Sequence, residues 1–358
     1  SDLDDGEYSE RSSGNYNAVV NTAMLMLHEE LKEDRFLEYV DRNLNMMLMM
    51  MDGDGTIFTE NSLRQDKGRK EYASKYFYQF LYMSEKSKKN ADKFRAAAHK
   101  IIIDAIENRD YSIDCLHLLM LYGWMAKIEL KEKGFPTEYN KFFPYSGLVR
   151  VRKENITYSL LLNEKNFLFF QNNAARLGMN IGVSYFQHRN FIAEKIEHKD
   201  NTYIMKFKAD GWYYMPFKNK PETHDWWQMD NKSRDLYINS FTEITVEVTD
   251  IPDGIEVNIK TNGIDRIPIR VEISLPVGGK LSSENFIIET KGNNGMILKN
   301  GDVHFVKNND DIIISGGFAS HEFIRGGYAG DSANDTSYIL YMTDYTNFDH
   351  KITIKGKR

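Results

Sequence analysis

The chain has 358 residues, 41% of them apolar and 27% charged, a length whose prior is two domains. A net charge of −6 with no basic block excludes a dedicated nucleic-acid binder, which needs a cationic patch. The single cysteine, Cys115, excludes an intrachain disulfide framework and a thiolate metal cluster, and no apolar run reaches the ~18–20 residues of a membrane span.

The opening residues Ser-Asp-Leu-Asp-Asp are acidic and unlike a signal peptide, so the compartment stays open between cytoplasm, periplasm and exterior. Residues 5–16 then crowd Glu7, Tyr8, Glu10, Arg11, Asn15 and Tyr16 at the mouth of an apolar helix, with Ser12 or Ser13 placed to cap it. So dense a polar cluster within sixteen residues of Ser1 leads us to expect further helices upstream. Val19, Ala23, Leu27 and Leu31 recur at helical spacing and predict the buried stripe of a first helix. Phe36, Val40, Leu44, Met47 and Met51 predict a second, whose end, Met46 to Met51, is apolar on nearly every side. Its methionines read as core filling rather than a metal box.

A connection of about seventeen residues follows, from Asp52 to Gly68, long for a helix–helix link. Asp52 and Asp54 suggest the start of an EF-hand, but Ile57 stands at the obligatory glycine and Leu63 at the bidentate glutamate, so calcium of that type is rejected. Glu60, Asn61, Arg64 and Gln65 remain as candidate sugar contacts. Residues 72–82, 94–106 and 113–128 predict three more helices, an odd total for an architecture of helical hairpins. Cys115 and His117, two apart on the last, point to different faces and form no dyad. Lys133-Gly134-Phe135-Pro136 ends the helical region.

From residue 147 the period becomes two. Strands are predicted at 148–152, 158–162, 245–248, 256–260, 269–273 and 312–314, with turns at Asp253-Gly254, Asn262-Gly263, Gly278-Gly279 and Asn300-Gly301. The fold class is therefore α+β multidomain: a helical domain over 1–140 and a large antiparallel β-sandwich over 146–358. Within the sandwich, Arg176 and His188 are polar candidates, His188 because Arg189 and Asn190 flank it. The pair Trp226-Trp227, beside His224 and Asp225, offers a sugar platform, though indoles of ~150–250 Å² are expected chiefly to pack. No Gly-rich phosphate loop, no Gly-x-Ser-x-Gly elbow and no His-Glu-x-x-His helix occurs, and no cofactor or metal is expected.

Asp5-Gly6-Glu7-Tyr8-x-Glu10-x-Ser12-x-x-x-Tyr16 resembles the Asp-Gly-x-x-x-Glu-x-Ser-x-x-Tyr segment of the heparinase II/III-like polysaccharide lyases. The Leu148-Val-Arg-Val-Arg opening of the sandwich and Asn262-Gly-Ile-Asp-Arg-Ile-Pro-Ile-Arg270 are similar to stretches of that family as well. The resemblance implies an α/α-toroid-like helical domain, incomplete here, and a lyase cleaving an acidic, uronate-containing polysaccharide by β-elimination. It implies Tyr16 as proton-transfer residue, Arg11, Asn15 or Arg64 at the substrate carboxylate, and His188 on the sandwich side. The family's upstream Asn-His pair falls before this chain begins. Phe170-Gln171-Asn172-Asn173 stands where the family carries a His-x-His-x-Asp-like cluster. Glu10, Glu60, Asn61, Arg176, Trp226 and Trp227 complete the candidate substrate-binding set. Two alternatives stay open: a glycoside hydrolase using a carboxylate pair such as Glu10 and Glu60, and a non-catalytic glycan-binding fragment. Oligomeric state, including a homo-oligomer, is open too.

Overall fold

The computed structural model describes residues 4–110, 116–324 and 334–357. Cys115 and the start of the fifth expected helix lie outside the described residues. The chain forms two compact units, the first made of Ser1–Leu161 with Phe170–Ala174 and the second of Leu162–Phe169 with Ala175–Arg358. No helix among the described residues is long and apolar enough to cross a membrane.

The first unit holds helices α1 (Tyr16–Leu31), α2 (Arg35–Met50), α3 (Phe77–Lys86), α4 (Ala91–Asn108) and the short α5 (Leu116–Leu121). Helix α2 behaves as its composition requires: Val40, Leu44, Met46, Met47, Leu48 and Met50 are all buried. Helix α1 does not. Its buried residues are Asn17, Ala18, Asn21, Leu25 and His28, whereas Val19, Ala23, Leu27 and Leu31 lie exposed. The expected stripe is thus inverted, because amide side chains claim the inward face. Asn21 donates to Asn43 of α2 at 2.8 Å and to Gln79 of α3 at 2.9 Å, and accepts from the Tyr8 hydroxyl at 2.7 Å. Burying such amides is tolerable only because each finds partners.

The long connection after α2 is ordered by its own short ladder, Thr56–Ile57 against Glu71–Tyr72. The unit also contains an antiparallel meander of three strands, Glu138–Phe143, Leu148–Lys153 and Ile156–Leu161. Period two would put Arg150 and Arg152 on a solvated face, yet both are buried. Helix α2 explains it, since a helix end leaves carbonyls without intrahelical partners and carries partial negative charge. Arg150 Nε donates to the Met49 carbonyl at 3.0 Å, Arg152 Nη1 to that of Met51 at 3.1 Å, and the Tyr139 hydroxyl to that of Met49 at 2.7 Å. Asp52, one residue on, pairs with Arg150 at 2.6 Å. The aspartates that suggested a calcium loop are structural.

The second unit is built on two sheets. One orders Asn294–Ile297, Ser337–Tyr345, Pro268–Pro276 and Ala175–Tyr185, with the short His188–Asn190 strand on the last. The other runs through nine strands from Ile287–Glu289 to Ile196–Lys199, with Asp349–Lys357, Gly254–Gly263, Leu236–Ile251 and Thr202–Tyr214 adjacent in that order. Alternate residues, Ile244, Val246 and Val248 on one strand and Val271, Ile273 and Leu275 on another, are fully buried, the inner rows of a β-sandwich. Pro268–Pro276 pairs antiparallel with both its neighbours, whereas Asn294–Ile297 and Ser337–Tyr345 run parallel. Asn262 and Gly263 end a strand rather than form a separate turn.

Candidate functional site

The polar mouth of α1 is held from below by one buried carboxylate. Asp66 accepts from the Ser12 hydroxyl at 2.8 Å, the Gly14 amide at 2.9 Å and the Ser62 hydroxyl at 2.8 Å. Ser12 in turn accepts from the Tyr16 amide at 3.0 Å, so it supplies the expected cap to the first turn. Gly14 fits a crowded turn: a Cβ would lie 2.9 Å from Glu71 Cγ and 3.0 Å from the Asp66 carboxylate. The Tyr76 hydroxyl closes the turn on the Ser13 carbonyl at 2.6 Å.

This clamp presents Tyr16 at the surface. Its phenolic oxygen accepts from Gln65 Nε2 at 3.0 Å. The Arg64 guanidinium lies over its ring, 5.2 Å from the centroid, and Arg64 Nε reaches Glu10 at 3.4 Å. The Gln65 hydrogen bond, then Arg64, holds the Tyr16 phenol below its ordinary value, because both favour the phenolate. Lys75 stands alongside, 3.4 Å from Asn15 Oδ1 and 3.1 Å from the Gly14 carbonyl. Tyr16, Arg64, Gln65 and Glu10, expected from separate stretches of sequence, are thus one cluster; Lys75 and the Asp66 clamp were not anticipated.

The neighbouring candidates make other contacts. Arg11, at positive φ, donates to the Tyr145 carbonyl. Asn61 is buried with its amide 3.4 Å from Glu7. Glu7 also accepts from Asn17 at 2.7 Å and the Tyr8 amide at 3.1 Å. Burial pushes its carboxyl up to about 7 against the opposing hydrogen bonds. Glu60 is partly buried beside Gly68.

The remaining candidates belong to the second unit. His188 packs edge-on to Phe207, ring centroids 5.6 Å apart, and Arg176 is exposed on the Ala175–Tyr185 strand. The expected packing of the tandem indoles is not found: Trp226 is 50% and Trp227 90% exposed. They sit on a 3-10 turn, Trp226–Gln228, capped by Asp225, in the excursion between two paired strands.

No family model matches the chain, and no curated protein matches it in sequence. Among solved structures it is similar to a heparan sulfate lyase HepC mutant from Pedobacter heparinus, at TM-score 0.52 and 10% identity, covering 99% of this chain and 53% of that one. A galactose mutarotase-like protein from Lactobacillus casei matches at TM-score 0.34 and 8% identity, over 59% of this chain and all of the other. A 4-alpha-glucanotransferase from Thermococcus litoralis matches at TM-score 0.31 and 8% identity, over 98% and 57%. The chain therefore spans about half the length of the lyase, and at such identity the likeness is one of fold: a mixed α+β architecture with a β-sandwich, of weakly polysaccharide-lyase-like form.

Proposed function

We propose that the protein is a carbohydrate-active enzyme that cleaves an acidic, uronate-containing polysaccharide by β-elimination, with Tyr16 as the proton-transfer residue and the helices forming part of a toroid-like layer. The observation that carries this reading is the environment of Tyr16: a surface phenol with a depressed pKa, under a guanidinium and bonded to a side-chain amide.

The chemistry follows from that arrangement. The proton on C5 of a uronate is weakly acidic, and removing it places negative charge on the adjacent carboxylate. A cation beside that carboxylate stabilises the developing charge; Arg64, with Lys75 nearby, is so placed relative to Tyr16. The phenolate takes the C5 proton, the C4–O4 bond breaks, a C4–C5 double bond forms, and O4 leaves with a proton that the Tyr16 phenol can return. A lowered pKa raises the share of Tyr16 present as the phenolate that the first step needs.

The test is the ultraviolet absorbance of an unsaturated uronate product on incubation with acidic polysaccharides. Appearance of that product with the native protein, and its loss in Tyr16→Phe at unchanged folding, is expected. Full turnover in Tyr16→Phe would remove the assignment, and reducing sugar released without the absorbance would identify a hydrolase.

A further inference from the structure

The strands Thr202–Tyr214 and Leu236–Ile251 pair with each other along thirteen rows. Their outer neighbours stop early: Ile196–Lys199 pairs only as far as Met205, and Gly254–Gly263 only from Thr242. Beyond the register shift at Gly211 the two strands run on as a two-stranded ribbon, with Trp212 opposite Ile238, Tyr213 opposite Tyr237 and Tyr214 opposite Leu236. Such a ribbon is marginal in water by itself, and exposed apolar area of this kind marks a binding surface.

At its end the excursion folds back through Arg234. The guanidinium carbon lies 4.6 Å from the Tyr214 ring centroid, 5.0 Å from Trp226 and 5.2 Å from Phe217. Three rings therefore fix its plane. Only Nε is engaged, with the Asn231 carbonyl at 3.3 Å; the two terminal nitrogens meet no acceptor among the described residues. An oriented guanidinium with an open fork is matched to a planar or tetrahedral anion, since it donates two parallel hydrogen bonds at little further loss of freedom. Next to Trp226 in sequence comes Trp227, whose amide donates to Asp225 at 3.0 Å while Gln228 donates to the other carboxylate oxygen at 3.0 Å. The backbone is thus fixed and the indole is left in solvent.

We propose that Arg234, Trp226 and Trp227 form a binding site for an acidic pyranose residue of a polysaccharide, its anionic group on the Arg234 fork and its ring face on an exposed indole. An anion with an apolar C–H face answers both features at once, whereas a protein surface would answer only the aromatic one. The inference rests on the reading of the protein as one acting on acidic polysaccharides, but not on the role given to Tyr16.

The experiment uses the full chain carrying Tyr16→Phe, so that binding is read without turnover. Polygalacturonate oligosaccharides, dextran sulfate and neutral dextran are titrated against tryptophan fluorescence and by calorimetry. Binding of an acidic probe but not of dextran is expected, weakened at least tenfold in Arg234→Ala and in Trp227→Ala and severalfold in Arg234→Lys. Polygalacturonate binding assigns the anion as carboxylate, and binding of dextran sulfate alone assigns it as sulfate. Trp227 is 90% exposed, so its substitution leaves the fold intact even where Arg234→Ala does not. Failure of every acidic probe to bind, binding unchanged in Trp227→Ala, or a concentration-dependent dimer abolished by Trp227→Ala would each overturn the proposal. Saccharide binding with no lyase product from the native protein would instead remove the assignment of Tyr16 and leave this site standing.

Discussion

The Asp52 carboxylate lies 2.6 Å from Arg150 Nη2, and both side chains are almost wholly withdrawn from water. Around the pair, Arg150 also donates to Ser159 at 2.7 Å and stacks over Phe58 at 4.5 Å. Burial nevertheless pushes the Asp52 carboxyl up, against the opposing pull of Arg150. Desolvation outweighs Coulomb attraction at Asp52, as it can in a buried ion pair.

It follows that breaking the pair is far worse than removing it. Asp52→Ala leaves a buried guanidinium without its counter-charge and should cost about 3–5 kcal/mol. Arg150→Met with Asp52→Leu should cost less than the sum of the single changes. Urea denaturation of the two single variants and the double variant measures this, and strict additivity would show that the two charges do not interact.

Glu7 predicts a pH dependence of stability. Its carboxyl is held at about 7 in the folded protein against 4.5 for the free group. A raised folded value means that the folded state binds the extra proton. The stabilisation is complete below about 4.5 and is lost as pH rises through about 7. At roughly 1.4 kcal/mol per pH unit, this amounts to about 3 kcal/mol between those limits. Glu7→Gln, which mimics the protonated form, should flatten that part of the curve. Thermal melts at pH 5 and pH 8 decide it, and an equal slope in both proteins would locate the proton elsewhere.

Gln65→Leu removes the hydrogen bond that most favours the Tyr16 phenolate. The Tyr16 pKa should rise towards its ordinary value of 10.0, and the limb on which any elimination activity rises with pH, which needs the phenolate, should shift upward with it. Carbon-13 labelled tyrosine, assigned with Tyr16→Phe, reports the titration directly. An unchanged Tyr16 resonance midpoint would show that Arg64 alone sets the value.

Asp66→Ala strands the hydroxyls of Ser12 and Ser62 and the Gly14 amide together. At ~1–3 kcal/mol for each buried group left unsatisfied, the loss should exceed about 3 kcal/mol. Gly14→Ala acts on the same turn by crowding Glu71 and Asp66, and about 1–3 kcal/mol is expected. Hydrogen exchange of the Tyr16 and Asn17 amides should accelerate in both variants before global unfolding does.

The sequence displays some of this plainly and hides the rest for identifiable reasons. Helix α2 is legible because apolar residues all round its end leave no alternative to burial. The sandwich strands are legible because turn residues punctuate a period of two. Helix α1 misleads, since Val19, Leu27 and Leu31 imitate an inward stripe while Asn17 and Asn21 take the inward face through partners 22 to 58 residues away or more locally through Glu7. The burial of Arg150 and Arg152 is invisible for a similar reason: what neutralises them is the end of a helix a hundred residues earlier. Tyr16 and Gln65 each stand in conspicuously polar stretches, but their hydrogen bond spans 49 positions and only the folded chain supplies it. The tandem indoles defeat the expectation of packing because a carboxylate cap, rather than a core, fixes their turn.

Asn21 joins three helices by its side chain alone, and that has a consequence for uniqueness. Methionine side chains are unbranched and adapt to many neighbours, so a helix lined with Met46, Met47, Met49 and Met50 could slide by a turn against its partners at little cost. Amides cannot slide, because their donors and acceptors match in one alignment. The Asn21–Asn43–Gln79 junction therefore acts as a key that sets the register of a greasy, otherwise permissive bundle. Replacing all three by leucine would be expected to keep the helices and lose the single arrangement, a state with intact far-ultraviolet dichroism and blurred side-chain resonances.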